Sequence, residues 1–196
     1  FVMKILLSVL VFIFSFQLHI NAGEVSDFEL EGMSIGESAL KYFSKEELEN
    51  HKYGFESKEF AYVSIPEKNL KTYHDGLIII KPKDKSFIIH SISGRMFFYE
   101  NVNACHEEQD LIANEFSKTF ENVERTKKDV YRYNADKSGK STVQTINFLF
   151  NNGSGAHIGC YNINIEYLER NNMYNSQSNL SVSLNSAEYM DFQRGL

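Results

Sequence analysis

The chain contains no tryptophan, only two prolines (Pro66 and Pro82) and only two cysteines (Cys105 and Cys160) in 196 residues. With so little proline no Pro-rich linker divides it, so the composition points to one domain rather than a string of modules. Past residue 22 no long apolar run occurs, and no membrane-crossing helix is expected there. Basic residues are the minority, 20 against 26 acidic ones, for a net charge of −6. That balance offers no global attraction for nucleic acid or for anionic lipid. There is no G-x-S-x-G nucleophile elbow. Gly139-Lys140-Ser141 fails as a phosphate-binding loop, because Asn134 stands where the first glycine belongs and a strand pattern follows instead of a helix.

The N-terminus has the order of a secretory signal. Met3-Lys4 is a short positive start, Ile5 to Phe16 an apolar run of about 12 residues, and Gln17 to Ala22 a more polar tail. The run is short of the roughly 20 residues that a span requires. Residues 1–22 are therefore read as a signal peptide cut after Ala22, with Phe1-Val2 as an upstream extension of the reading frame. Residues 23–196 are read as a single domain, periplasmic or secreted. In that compartment two cysteines favour a disulfide, and closing the Cys105–Cys160 loop stabilises by about 4 kcal/mol on the chain-entropy argument. Two alternatives stand beside it. Cys105, His106, His157 and Cys160 are ligand types suited to zinc, but residues 157 and 160 point to opposite faces of a strand. Two free buried thiols are the third state.

The segment around Cys105 organises the rest. Val102, Cys105, Gln109, Ile112, Phe116, Phe120 and Val123 recur at helical spacing, and predict an amphipathic helix from Asn103 to Val123 with Asn103 as its cap. Gln109 is the only polar member of that stripe. Upstream, Ser34/Glu37 and Ser44/Glu47 are capping-box pairs that predict short helices over 35–43 and 45–51, closed by Gly54. Strands are expected at 60–65, 76–80 and 87–92, with a turn or bulge at Ser93-Gly94 and a further strand at 96–99. Downstream, 130–133, 142–150, 156–160 and 180–184 read as strands, with a tight turn at 151–155. Ala156, Ile158 and Cys160 share a face, so both cysteines point to the core. Asn185 with Glu188 predicts a capped C-terminal helix. Hairpin connections dominate, so the expected fold is α+β: an antiparallel sheet packed against a central amphipathic helix, with short helices at each end. A short echo between Phe43-Ser44-Lys45 and Phe116-Ser117-Lys118, each in a helix followed by three strand-like segments, would fit two α-β-β-β units, but coincidence is the preferred account.

The stretch Glu31-Gly32-Met33-Ser34-Ile35-Gly36-Glu37-Ser38-Ala39-Leu40-Lys41-Tyr42-Phe43-Ser44, together with Ala135-Asp136-Lys137-Ser138-Gly139-Lys140-Ser141-Thr142, resembles a family of small exported proteins of SAR11-type marine bacteria. Ile89-His90-Ser91-Ile92 and both cysteines fit the same pattern. The resemblance implies an exported single domain and supplies no catalytic residues. The chain departs from the pattern in lacking tryptophan.

For chemistry, Arg125 to Lys140 carries six basic residues against Asp129 and Asp136, in an otherwise acidic chain. Tyr131, Arg132, Tyr133, Lys137 and Lys140 are the candidate ligand-binding residues, with Ser138-Gly139-Lys140 offering backbone amides to an anion. An ordinary solvated turn is the competing explanation. Among histidines, His90 lies between Ile88 and Ile92 and reads as a satisfied core residue, and His74-Asp75 as a turn. No nucleophile with an oriented base emerges, so no catalytic residue is assigned. No cofactor or metal is expected. The leading expectation is a non-enzymatic binding or interaction module of the cell envelope, with a small-molecule or protein partner. A small hydrolase with a His-centred site and a structural envelope protein are the alternatives.

Overall fold

The computed structural model describes residues 24–50, 52–55, 59–120, 123–173 and 177–195. The expected leader, its cut after Ala22 and His51 lie outside the described residues. A two-residue hairpin, β1 (Glu29–Leu30) and β2 (Met33–Ser34), leads to α1 (Lys45–Asn50), β3 (Lys52–Phe55), β4 (Ala61–Ser64), β5 (Asp75–Ile80) and β6 (Ile89–Tyr99). The long helix α2 (Val102–Thr119) follows. Then come β7 (Glu124–Arg125), β8 (Asp129–Arg132), β9 (Thr142–Leu149), β10 (Gly155–Asn162), α3 (Ile165–Arg170), β11 (Ser178–Asn185) and α4 (Ala187–Arg194). Among the described residues the main sheet has nine strands in the order β3-β4-β5-β6-β11-β10-β9, with β7 and β8 both paired to the outer edge of β9. Every pairing is antiparallel. The fold is α+β, as the hairpin-rich sequence predicts.

The topology repeats. A helix followed by a four-strand meander occurs twice, α1 with β3–β6 and α2 with β8–β11, and the halves meet where β6 pairs β11. The Phe43/Phe116 echo falls on this repetition only loosely: Phe43 precedes α1, whereas Phe116 lies well inside α2.

One face of the sheet is covered by α2 and the N-terminal segments. Cys105, Gln109, Ile112 and Phe116 of the predicted stripe are buried in α2, and Cys105 is bonded to Cys160 with their Cα atoms 6.0 Å apart. One turn further, Gln109 is fully buried and fully satisfied. Its Nε2 donates to the carbonyls of Gln144 (2.8 Å) and Ile158 (2.9 Å), and its Oε1 accepts from Gln144 Nε2 (2.7 Å). A polar residue is tolerated there because each of its atoms finds a partner. At the far end Phe120 sits among Phe28, Phe116, Phe148 and Phe150, with ring centroids 4.3 to 5.3 Å away.

Several local expectations are revised. The cap of α2 is Asn101, whose side chain accepts from Ala104 N, and the helix ends at Thr119. The cap of α4 is Ser186 rather than Asn185, since Asn185 remains in β11. The helix expected over 35–43 is absent. Its backbone pairs with the start of β6 instead (Gly36 N to Ile89 O, Ile89 N to Glu37 O, Ala39 N to Phe87 O), Gly36 is left-handed (φ 86°), and only a 3-10 turn, Ala39–Lys41, remains. The Ser44/Glu47 box forms as predicted (Glu47 N to Ser44 Oγ 3.1 Å, Ser44 N to Glu47 Oε2 2.9 Å). Gly54 lies inside β3 and does not close the helical unit.

Ser93-Gly94 is not a turn. It lies inside β6, where Gly94 is bare because the buried Tyr73 ring rests on it: a Cβ there would be 2.4 Å from Tyr73 Cγ. Gly94→Ala is therefore expected to destabilise by about 1–3 kcal/mol through overpacking, and by less in a Tyr73→Ala background. Loss of the disulfide, as Cys105→Ala with Cys160→Ala, is expected to cost about 2–4 kcal/mol. Urea unfolding of the oxidised protein and of these variants measures both.

Candidate functional site

Antiparallel strands send alternate side chains to opposite faces, so the residues between the core positions of β6, β9, β10 and β11 line the second face of the sheet. On β11 these are Ser181 and Ser183, between Leu180, Val182 and Leu184. On β6 they are Ser91 and Ser93. The register sets Asn147, His157, Ser183 and Ser93 in a row across four strands. Serines are short and leave room above the sheet. A cavity of about 380 Å³ opens over it, walled by Tyr62, Leu77, Ile79 and Tyr161, with Tyr189, Met190 and Gln193 of α4 overhanging one end.

α4 is held there by a second, smaller core in which Phe60 and Ile79 pack against Tyr189 and Phe192. A bulge helps to seat it. Ile79 pairs Ser91 while Ile80 pairs Ile89, so His90 is the extra residue and turns to the α4 side, away from Ile92. His90 meets the edge of the Phe60 ring (5.3 Å), and its Nδ1 lies 3.4 Å from both Ser186 Oγ and Glu188 Oε2. Burial lowers the pKa of His90, with Glu188 opposing. Glu188 also pairs with Lys81. This Ser-His-Glu grouping is no proton relay, because both contacts converge on one ring nitrogen and a relay needs the two nitrogens engaged separately. His90 is a satisfied packing residue at the foot of α4. His74 stacks on Phe97, its Nδ1 accepting from Phe97 N at 3.1 Å, and lies outside the cavity.

His157 contributes an imidazole to the cavity wall. Its Nδ1 lies 2.7 Å from Asn147 Oδ1, which directs the ring proton to Nδ1 and leaves Nε2 as an acceptor. Among the described residues Nε2 has no hydrogen-bond partner, and neither do the hydroxyls of Ser93 and Ser181. Nε2 sits above Gly159, where a Cβ would approach it to 2.7 Å and the Tyr161 ring to 3.0 Å. Burial holds the imidazole pKa down to about 4. The cavity lining carries no formal charge: it offers hydroxyls, one neutral imidazole, carboxamides and apolar walls.

Of the residues predicted to bind a ligand, the structure gathers three. Tyr131, Arg132 and Tyr133 line a second cavity of about 630 Å³ with Val143 and Tyr161. Lys137 and Lys140 are not in its lining: Lys137 Nζ donates to the carbonyl of Asn134 (2.9 Å), and Lys140 pairs with Glu166 (2.8 Å). The amides of Ser138-Gly139-Lys140 already have acceptors, Asp136 Oδ1, Asp136 O and Ser138 Oγ. The Asp136 carboxylate is the internal anion of that loop, and hydrogen bonds from the Ser141 hydroxyl and then Ser138 hold its pKa down to about 2. The serine floor was missed from sequence. Its signal was the alternation of Ile, Leu and Val with serine in β6 and β11, where a solvent face ordinarily carries charge.

Among the described residues no group of three or more His, Cys, Asp or Glu side chains gathers to hold a metal ion. Compared with protein families, with curated proteins and with solved structures, the chain matches none.

The His157 geometry sets a pH dependence. Its folded pKa of about 4 lies below the usual 6.5. Between those values the unfolded chain binds a proton that the native chain refuses, so this contribution is full above about pH 6.5 and is lost as pH falls, by up to about 1.4 kcal/mol per unit. Urea unfolding at about pH 7 and about pH 5 is expected to show a shallower pH slope for His157→Gln than for the parent, with the parent ring still neutral by NMR at the lower pH.

Proposed function

We propose that this chain is an exported, disulfide-stapled binding module of the cell envelope, non-enzymatic, with the open face of its sheet as the ligand surface. The observation that carries the reading is the serine-floored cavity. It lies on the sheet face that α2 does not cover, it is sheltered by α4, and the hydroxyls of Ser93 and Ser181 and the Nε2 of His157 stand at it without a hydrogen-bond partner among the described residues. Half-buried polar atoms that point into a recess and have no protein partner are open to hydrogen bonding by a ligand or by water. The bridge between Cys105 and Cys160 fits an oxidising compartment, and among the described residues no helix is long and apolar enough to cross a membrane.

The test is a ligand-observed NMR screen of neutral, hydroxyl- or amide-bearing fragments against the oxidised protein. Hits are expected to vanish in Ser181→Phe, whose ring fills the cavity, and to persist in Leu111→Ser, which alters the exposed side of α2. Hits that survive Ser181→Phe, or no hits at all with the parent, overturn the reading.

A further inference from the structure

The two cavities lie on the same face of the sheet and share a wall. Tyr131, Val143 and Tyr161 are register partners across β8, β9 and β10, and Tyr161 borders both spaces. His157 is four residues from Tyr161 on β10, a separation of about 13 Å along the strand. Between them is Gly159, whose missing side chain lets the His157 and Tyr161 rings lie down over bare backbone. The result is two adjoining chambers that meet at the Tyr161 ring.

The chambers differ in chemistry. One presents the hydroxyls of Ser93, Ser181 and Ser183 and the Nε2 of His157. The other presents aromatic rings: Tyr133 stands edge-on to Tyr161 (6.0 Å) and to Tyr167 (5.9 Å), and Tyr131 flanks them. Tyrosines combine a rigid apolar face with a hydroxyl. The hydroxyls of Tyr133 and Tyr161 make no hydrogen bond to any described residue. Among the described residues lining the two chambers Arg132 is the only charged one, and Arg95, the register partner of Ser181 beside them, is paired with Asp75. A ligand that suits these chambers has apolar ring faces to lie against tyrosine, many hydroxyls to meet serine and imidazole, and no charge. It is also long enough to need two chambers.

Resting on the reading of the open face as a ligand surface, we propose that the two cavities form one groove for an uncharged oligosaccharide, with successive sugar rings against Tyr133 and Tyr161 and over the Ser93–Ser181 floor. Arg132 at one end is a hydrogen-bond donor to sugar hydroxyls rather than an anion clamp. The length of the groove makes affinity depend on chain length, because a short sugar engages one chamber only.

The experiment is a 1H–15N NMR titration of the oxidised chain with maltotetraose, cellotetraose, tetra-N-acetylchitotetraose and tetragalacturonate, each beside its disaccharide. At least one uncharged tetrasaccharide is expected to shift Ser93, Ser181 and His157 together with Tyr131, Tyr133 and Tyr161. It should bind about tenfold tighter than its disaccharide, the scale of one added aromatic contact. Tyr133→Ala is expected to remove that gain, and Tyr133→Phe to keep it. Shifts confined to one chamber with no gain in affinity overturn the continuous groove. Preference for tetragalacturonate overturns the uncharged ligand. If no tetrasaccharide shifts this face while the neutral fragments still do, the sugar assignment falls and the binding reading stands. If neither binds, both fall.

Discussion

A wide antiparallel sheet has two faces, and the stability of this protein depends on burying one of them completely. The helix Val102–Thr119 is the cover. Its stripe supplies apolar contacts along its length, and at three points it is fixed by something more specific: the Cys105–Cys160 bond, the Gln109 amide clamped between the strands of Gln144 and Ile158, and the phenylalanine cluster around Phe120. Each acts on a different scale. The bond restricts the unfolded chain, the amide fixes rotation and height of the helix over the sheet, and the rings fill the end of the core. Because one face carries the hydrophobic burden, the other is free to be polar.

That freedom is used unevenly. Over β5 and the start of β6 the second face is apolar and takes the C-terminal helix, seated by Phe60, Ile79 and the outward-turned His90. Over β6, β10 and β11 it is lined by serine, histidine and glycine. Small side chains beside a docked helix leave a recess, and the recess inherits its depth from the step between the two regions. Gly94 and Gly159 play opposite parts in this. Gly94 admits the Tyr73 ring and helps close the core, whereas Gly159 admits the His157 and Tyr161 rings on the open face.

Charge is largely consumed within the molecule. Lys128 pairs with Asp110, Lys140 with Glu166 and Arg95 with Asp75, while the Asp136 carboxylate gathers the amides and hydroxyls of its own loop. Glu31 does similar work at a distance. It sits in a left-handed conformation (φ 56°) with its carboxylate accepting from the backbone N–H groups of Lys71, Thr72 and Tyr73, which fastens the N-terminal hairpin to the loop before β5. A basic segment in an acidic protein is thus mainly a set of internal partners.

Periodicity made much of this legible in advance. The spacing of Cys105, Gln109, Ile112 and Phe116 marks one helix face and that of Ala156, Ile158 and Cys160 one strand face, so the pairing of helix to sheet followed from the residues alone. The α+β class followed from hairpin-type connections. What failed were features that depend on neighbours distant in sequence. The 35–43 segment carries a capping pattern, yet its backbone is claimed by β6; Ser93-Gly94 looks like a turn, yet a ring from residue 73 explains the glycine. The serine-floored cavity failed in the same way. Ser93, His157 and Ser183 are far apart along the chain and unremarkable singly, and only strand register sets them side by side. Which residues must be buried could be read from the chain, because burial is imposed by local period and hydrophobicity. Which polar residues share a cavity could not, because that depends on strand order and on where the last helix comes to rest.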